Sequence, residues 1–278
     1  MGTALQAGPV RMSVAGICVA VAAIAVPAAA PGDRPDPEPP ARVVTLPTAN
    51  AAWDYQIGGA FRPAPAVSIV TRDRNDLASA GDYSICYVNA FQTQPDEKRF
   101  WVDDPKRWRL VLKDANGDPV VDGAWGEFLL DTTAGKRDAL RRIVGRWIDR
   151  CAADGFEAVE FDSLDSWDRA RGLISRTQNK AFARLLTARA HKGGMAAAQK
   201  NWAGLSPEGP DLGFDFAVAE ECGRYSECGT YARAYDERVY VVEYRDRDFE
   251  NACDRWGSTL SIVCRDRDVT PTGVNRRC

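Results

Sequence analysis

Eight short apolar runs, separated by helical or turn-rich stretches, limit this chain to few architectures. The runs are 53–57, 67–70, 84–88, 158–162, 195–198, 214–218, 239–243 and 260–264, with a ninth, 127–131, that reads as a loop-associated piece. Leu140, Ile143, Val144, Trp147, Ile148 and Cys151 recur at the spacing of one buried helix face. Ala181, Phe182, Leu185 and Leu186 mark a second helix, with Gly193 as its stop. Strands alternating with helices predict a parallel sheet. The count of eight and the lack of a Gly-rich phosphate loop favour a single-domain α/β fold, a (β/α)8 TIM barrel, over an open doubly wound sheet. The 278 residues suffice for one such barrel.

The first thirty residues read as a secretory signal peptide: Arg11 is the positive n-region, 12–26 the apolar h-region, and 25–30 offers small-residue cleavage sites. That run is short for a membrane span, so no stable span is expected after cleavage. Residues 31–50 are Pro-rich and read as an extended linker, leaving 51–278 as the folded domain. Cys18 would leave with the leader. Seven of the eight cysteines then enter an oxidising compartment, where disulfides are favoured. Cys222 with Cys228 and Cys253 with Cys264 are the expected local pairs, and the odd count leaves a thiol over.

His191 is the single histidine, which excludes poly-histidine metal sites. It falls in the last turn of the second helix, where it would complement the helix dipole. Net charge is −3, and no basic patch with interleaved aromatics stands out, so nucleic acid is not an expected partner. The expectation is a secreted monomer with no cofactor and no metal.

Polar residues gather where the runs end: Gln56, Asp73, Tyr87 and Asn89, Glu160 and Asp162, Lys200 and Asn201, Glu220 and Glu221, Glu243 and Tyr244. In a barrel that end carries the active site. Glu160 and Asp162 share one strand face, and buried carboxylates there need partners or work. Two carboxylates from different strands, Asp162 and Glu220, could flank a sugar as acid and nucleophile or base. The bland alternative makes Glu160 and Asp162 ion-pair partners of barrel Lys or Arg, with Asp165 a loop cap. A weaker one groups Glu160, Asp162 and Asp165 around Ca²⁺. Trp147 belongs to the helix's core stripe, whereas Trp53, Trp167 and Trp202 adjoin strand ends and could serve as sugar platforms.

These residues carry a resemblance to glycoside hydrolase family 114, the endo-α-1,4-polygalactosaminidase group. Trp53-Asp-Tyr-Gln-Ile57 resembles the family's opening Trp-x-Trp-Gln-Leu, and Ile85-Cys-Tyr87 its Ile-Cys-Tyr strand. Gly155-Phe-Glu-Ala-Val-Glu-Phe-Asp162 is similar to Gly-Phe-Asp-Gly-Val-Glu-Pro-Asp, and Lys200-Asn201 to its Lys-Asn. Phe214-Asp-Phe-Ala-Val-Ala-Glu-Glu-Cys222 and Val242-Glu-Tyr244 resemble two further motifs, so the likeness spans about residues 53–263. It implies a secreted endo-acting enzyme that cleaves α-1,4-linked galactosamine-type polysaccharide. Asp162 would be the nucleophile and Glu220 the acid/base, with retention of configuration. Trp53, Gln56, Asp73, Tyr87, Asp131, Glu160, Lys200, Asn201, Trp202, Glu243 and Tyr244 would contact substrate. Phe161, Ser163, Ala219, Glu221 and Trp202 depart from the family pattern. These departures motivate a second reading, a non-catalytic barrel that binds polysaccharide at the cell surface.

Overall fold

A computed structural model describes Met1, Gly2, Gly8 and residues 43–278. Apart from those three residues, the expected signal peptide and the linker up to residue 42 lie outside the described residues. Contacts divide the chain into two units, 1–40 and 41–278. Met1, Gly2 and Gly8 are exposed, and the second unit is described from here on. Among the described residues no helix is long and apolar enough to cross a membrane.

Three strands come first, β1 (Trp53–Gln56), β2 (Ile69–Asp73) and β3 (Tyr83–Asn89). A long excursion then carries α1 (Lys98–Val102), α2 (Pro105–Trp108), the hairpin of β4 (Val121–Asp122) and β5 (Glu127–Phe128), and α3 (Ala134–Ala153). After it run β6 (Ala158–Asp162), α4 (Ser166–Arg169), α5 (Arg176–Lys192), β7 (Ala196–Lys200) and β8 (Phe216–Glu220). The chain continues through α6 (Cys228–Ala234), β9 (Val239–Glu243), α7 (Asp246–Trp256), β10 (Ser261–Arg265) and β11 (Asn275–Arg277). The main sheet runs β1-β2-β3-β6-β7-β8-β9-β10-β11, parallel throughout except that β11 is antiparallel to β10. It curls into a nearly closed barrel. At the seam, Ser261 Oγ donates to the Ala51 carbonyl at 2.7 Å, and Asn275 Nδ2 donates to Asp54 Oδ1 at 3.0 Å.

Period-2 alternation splits the apolar side chains into two cores. Trp53, Tyr55, Ile69, Ile85, Ala158, Ala198, Phe216, Val218, Tyr240, Val242 and Val263 fill the barrel interior. Cys86, Val88, Val159, Phe161, Ala217, Val241 and Ile262 point the other way, toward Leu140, Val144 and Ile148 of α3 and Phe182 and Leu186 of α5. The two periodic segments form α3 and α5 as the spacing requires. A capping box, Ser175 with Gln178, starts α5, and Gly193 follows its end. Strands β2, β7 and β8 reach two or three residues past the apolar runs that announced them, because Asp73, Lys200 and Glu220 continue the ladders with polar side chains. The short connections between β1, β2 and β3 carry Gly58, Gly59, Pro63 and Pro65, and no helix forms there.

Three expectations need correction. Residues 43–50 are packed on the barrel: Tyr83 and Tyr240 donate from their hydroxyls to the carbonyls of Thr45 and Thr48, each at 2.7 Å. Cys253 bonds Cys278 in place of Cys264, because β11 pairs with β10 and returns Cys278 to α7, while Cys264 stays buried and free on the helix-facing side of β10. His191 does more than complement a dipole; its Nε2 lies 2.8 Å from Asp215 Oδ2, and this hydrogen bond raises its pKa.

Cys222–Cys228 forms as expected, and a third bond, Cys86–Cys151, ties β3 to α3 across a separation of 65 residues. Closing a loop of that length stabilises by about 4 kcal/mol through the unfolded chain. A non-reducing peptide map should recover Cys86–Cys151, Cys222–Cys228 and Cys253–Cys278. Recovery of a Cys253–Cys264 peptide would overturn this seam.

Candidate active site

Inward-facing side chains become polar at the C-terminal ends of β6, β7 and β8, and this places four charged groups together. The Lys200 ammonium is at the centre. It lies 3.0 Å from Glu160 Oε1, 3.4 Å from Asp162 Oδ2 and 3.6 Å from Glu220 Oε2, and it donates to the Tyr55 hydroxyl at 2.9 Å. Lys200 and Glu160 side chains are 0% exposed, whereas Asp162 retains 19% and Glu220 25%. The outer pair therefore faces a cleft and the inner pair supports it from below.

Each exposed carboxylate is held by neutral donors. Asp162 Oδ2 accepts from the Tyr87 hydroxyl at 2.7 Å, and Oδ1 from the Ser163 N–H at 2.6 Å. Glu220 Oε2 accepts from Asn201 Nδ2 at 2.9 Å, while Oε1 accepts from the Tyr244 hydroxyl. Asn201 Oδ1 in turn accepts from the Glu220 N–H at 2.8 Å. The residues just past these strand ends are left-handed: Ser163 has φ 65°, Asn201 54°, Trp202 57° and Glu221 55°. Such backbone costs about 1–3 kcal/mol per residue and persists where the surroundings enforce it.

The electrostatics follow from burial and neighbours. Burial pushes Glu160 up to about 7, although Lys200 and Tyr55 pull it down. Burial alone would also raise Asp162, but Lys200, Tyr87 and the Ser163 N–H outweigh it and hold this carboxyl below its ordinary value. Burial would lower Lys200; Asp162, Glu160 and Glu220 outweigh that and raise it well above an ordinary lysine. The Tyr55, Tyr87 and Tyr244 phenols are raised well above their ordinary value, first by burial, and remain donors.

The cleft over Asp162 and Glu220 has a volume of about 490 Å³. Besides these two, Tyr87, Asn201 and Tyr244 line it, with Asn89, Asp122, Trp125, Glu127, Asp165, Arg169, Arg267 and Asp268 farther out. Six carboxylates against two guanidiniums make the lining acidic. The β4–β5 hairpin forms one wall. Asp122 on it forms an ion pair with Arg169 at 2.8 Å, Asn89 Nδ2 donates to Glu127 Oε2 at 3.0 Å, and Trp125 at its tip packs under Arg267.

Of the residues read from the sequence, Asp162, Tyr87, Glu160, Lys200, Asn201, Glu220 and Tyr244 come together. Others do not. Trp53 is buried in the barrel interior against Tyr55 and Tyr240, so it cannot be a platform. Gln56 is buried with its amide spent on Asp54, Arg72 and the Phe61 N–H. Asp73 is held by Gln94 and the Asn75 N–H, each at 2.8 Å. Asp131 accepts from the Thr133 N–H just before α3. Trp202 packs against Trp167 at a tilt of 46°, ring centroids 5.5 Å apart, outside the cleft lining. Glu243 shares the outward parity of Val241; its Oε1 accepts from the Gly223 N–H at 2.7 Å and its Oε2 is buried without a partner. Glu221 pairs with Arg224 at 2.6 Å. The three acids weighed as Ca²⁺ ligands part company, Asp165 turning to Arg169 while Glu160 and Asp162 take Lys200.

Sequence reasoning missed Tyr55 and the hairpin. Tyr55 was findable, since it shares the inward parity of Trp53 one step nearer the active end. Asp122, Trp125 and Glu127 sit in an irregular excursion where no periodicity marks a face.

A family model described as "Glycoside-hydrolase family GH114" matches residues 34–278. Among solved structures, Aspergillus fumigatus Ega3 in complex with galactosamine is similar with a TM-score of 0.69 at 21% identity, over 85% of this chain and 98% of that one. The glycoside hydrolase domain of PelA from Pseudomonas aeruginosa gives 0.57 at 16% identity, over 82% and 98%. At these identities the likeness concerns the fold. No curated protein matches the chain.

Burial also pushes Glu243 up to about 7, against the pull of the Gly223 N–H. The fold thus prefers the protonated carboxyl over the unfolded chain, whose carboxyl titrates near 4.5. The stability this contributes is complete below that value and is lost as pH rises through about 7. Glu243→Gln, fixed neutral, should therefore gain in Tm over wild type between about pH 5 and about pH 8. A Tm difference that is the same at both pH values contradicts the buried-carboxyl assignment.

Proposed function

The chain belongs to glycoside-hydrolase family GH114, and we propose that it is a secreted, retaining, endo-acting hydrolase of α-1,4-linked galactosamine polymer. One observation carries this reading: Asp162 and Glu220, from different strands, both open on one acidic cleft and both lie beside the Lys200 ammonium.

Their separation accommodates retention. Each has an oxygen beside the same nitrogen, at 3.4 and 3.6 Å, so those oxygens are at most about 7 Å apart. Inverting pairs need about 6.5–9.5 Å to seat a water, and retaining pairs about 5–5.5 Å. Asp162, kept ionised by Lys200 and its two donors, attacks the anomeric carbon. Glu220 gives its proton to the glycosidic oxygen as that bond breaks. Glu220 then takes a proton from water, whose oxygen displaces Asp162 and frees the sugar.

The acidic lining suits a polymer whose amino groups are protonated. That galactosamine was bound to Ega3 is in keeping with this choice. The leader-like first thirty residues and the three disulfides support export to an oxidising compartment.

Asp162→Asn and Glu220→Gln should each lower kcat on galactosamine polymer by about a hundred- to ten-thousand-fold, with unchanged circular dichroism. NMR of the earliest products should show the α-anomer; a β-anomer first product excludes retention. Wild-type protein that binds the polymer without releasing reducing ends would point to the non-catalytic binding reading instead.

A further inference from the structure

Helices α6 and α7, with the loop segments just before them, line a second cavity, an open groove of about 610 Å³. Its chemistry is opposite to that of the cleft. Five arginines line it, Arg224, Arg233, Arg245, Arg247 and Arg255, against one carboxylate, Asp248. Two are already spent, Arg224 on Glu221 and Arg245 on Asp248. Among the described residues, no carboxylate is within salt-bridging distance of Arg233, Arg247 or Arg255. Ser226, Thr230 and Asn251 also line the groove, and their side chains have no protein hydrogen-bond partner among the described residues. A wall built of free guanidiniums, hydroxyls and an amide calls for an acceptor-rich anion.

The wall is also firmly made. The Cys222–Cys228 disulfide closes the loop after β8. Gly223 packs so tightly on α7 that a Cβ there would come within 2.8 Å of the Ala252 methyl. The cavity volume falls within the roughly 300–1,000 Å³ common for ligand pockets.

We propose that this groove binds an anionic glycan through its carboxylate or phosphate groups, by forked hydrogen bonds from Arg233, Arg247 and Arg255. A glycan fits better than single-stranded nucleic acid. Trp256 is the one aromatic in the lining, and Arg255 already lies over its ring at 5.6 Å, whereas successive bases need successive stacking platforms. The protein thus holds a negatively charged polymer beside a cleft that suits a positive one.

Affinity electrophoresis of the full folded protein tests this, with polygalacturonate as the carboxylate probe, phosphorylated dextran as the phosphate probe and neutral dextran as control. Wild type should be retarded by one or both charged polymers and not by the neutral one, and retardation should fade as NaCl rises from about 50 mM to about 500 mM. Which polymer retards it names the anionic group. The combined variant R233A/R247A/R255A should bind at least tenfold more weakly, with unchanged circular dichroism and unchanged cleavage of soluble galactosamine oligomers. R141A/R142A/R146A, on a second basic groove between α3 and α5, should bind like wild type. Absence of retardation at low salt, less than threefold weakening in the first variant, or tighter retention by single-stranded DNA than by either charged glycan would overturn the proposal.

Discussion

A fully buried ammonium among three carboxylates organises this molecule's active end. Lys200 could not be kept charged in the barrel interior without them, and the carboxylates would repel one another without it. Glu160 anchors the ammonium from below and Tyr55 bridges the two, so Lys200 is fixed before any ligand arrives. It then sets the charge of Asp162 and stands beside Glu220. The exposed pair inherits its geometry from a buried pair that touches no solvent.

Strand ends support that arrangement in a second way. Asp162, Lys200 and Glu220 each end a strand, and a left-handed residue follows each one. The chain turns sharply there, so the Ser163 N–H donates to Asp162, and Asn201 keeps a backbone bond to the Val218 carbonyl while its side chain donates to Glu220. Residues that look like ordinary loop starters are part of the apparatus that aims the carboxylates.

Much of this could be read from the sequence, and the reasons for the failures are physical. Apolar runs ending in polar residues gave the barrel and its active end, because β-strands alternate and a buried polar residue needs company. Its position at a strand end and a motif point to Glu243 as a site residue; parity puts it outward with Val241, and the inward member of the pair is Tyr244. Trp53 reads as a platform because it adjoins a strand end, yet the end it adjoins is the start of β1, away from the cleft. Nothing local in the sequence signals that β11 folds back on β10 and brings Cys278 to Cys253. The cleft-lining hairpin lies in an excursion whose fold depends on contacts with the rest of the barrel.

That excursion also governs how the molecule responds to a protease. The Cys86–Cys151 bond joins its base, so everything from β3 to α3, including Trp125 and the hairpin, lies on a covalently sealed loop. A protease that nicks this loop once leaves both fragments attached, and the cleft wall stays with its barrel. After a single cut, covalent release also requires reduction of that bond, so tolerance of one clip is a redox-dependent property.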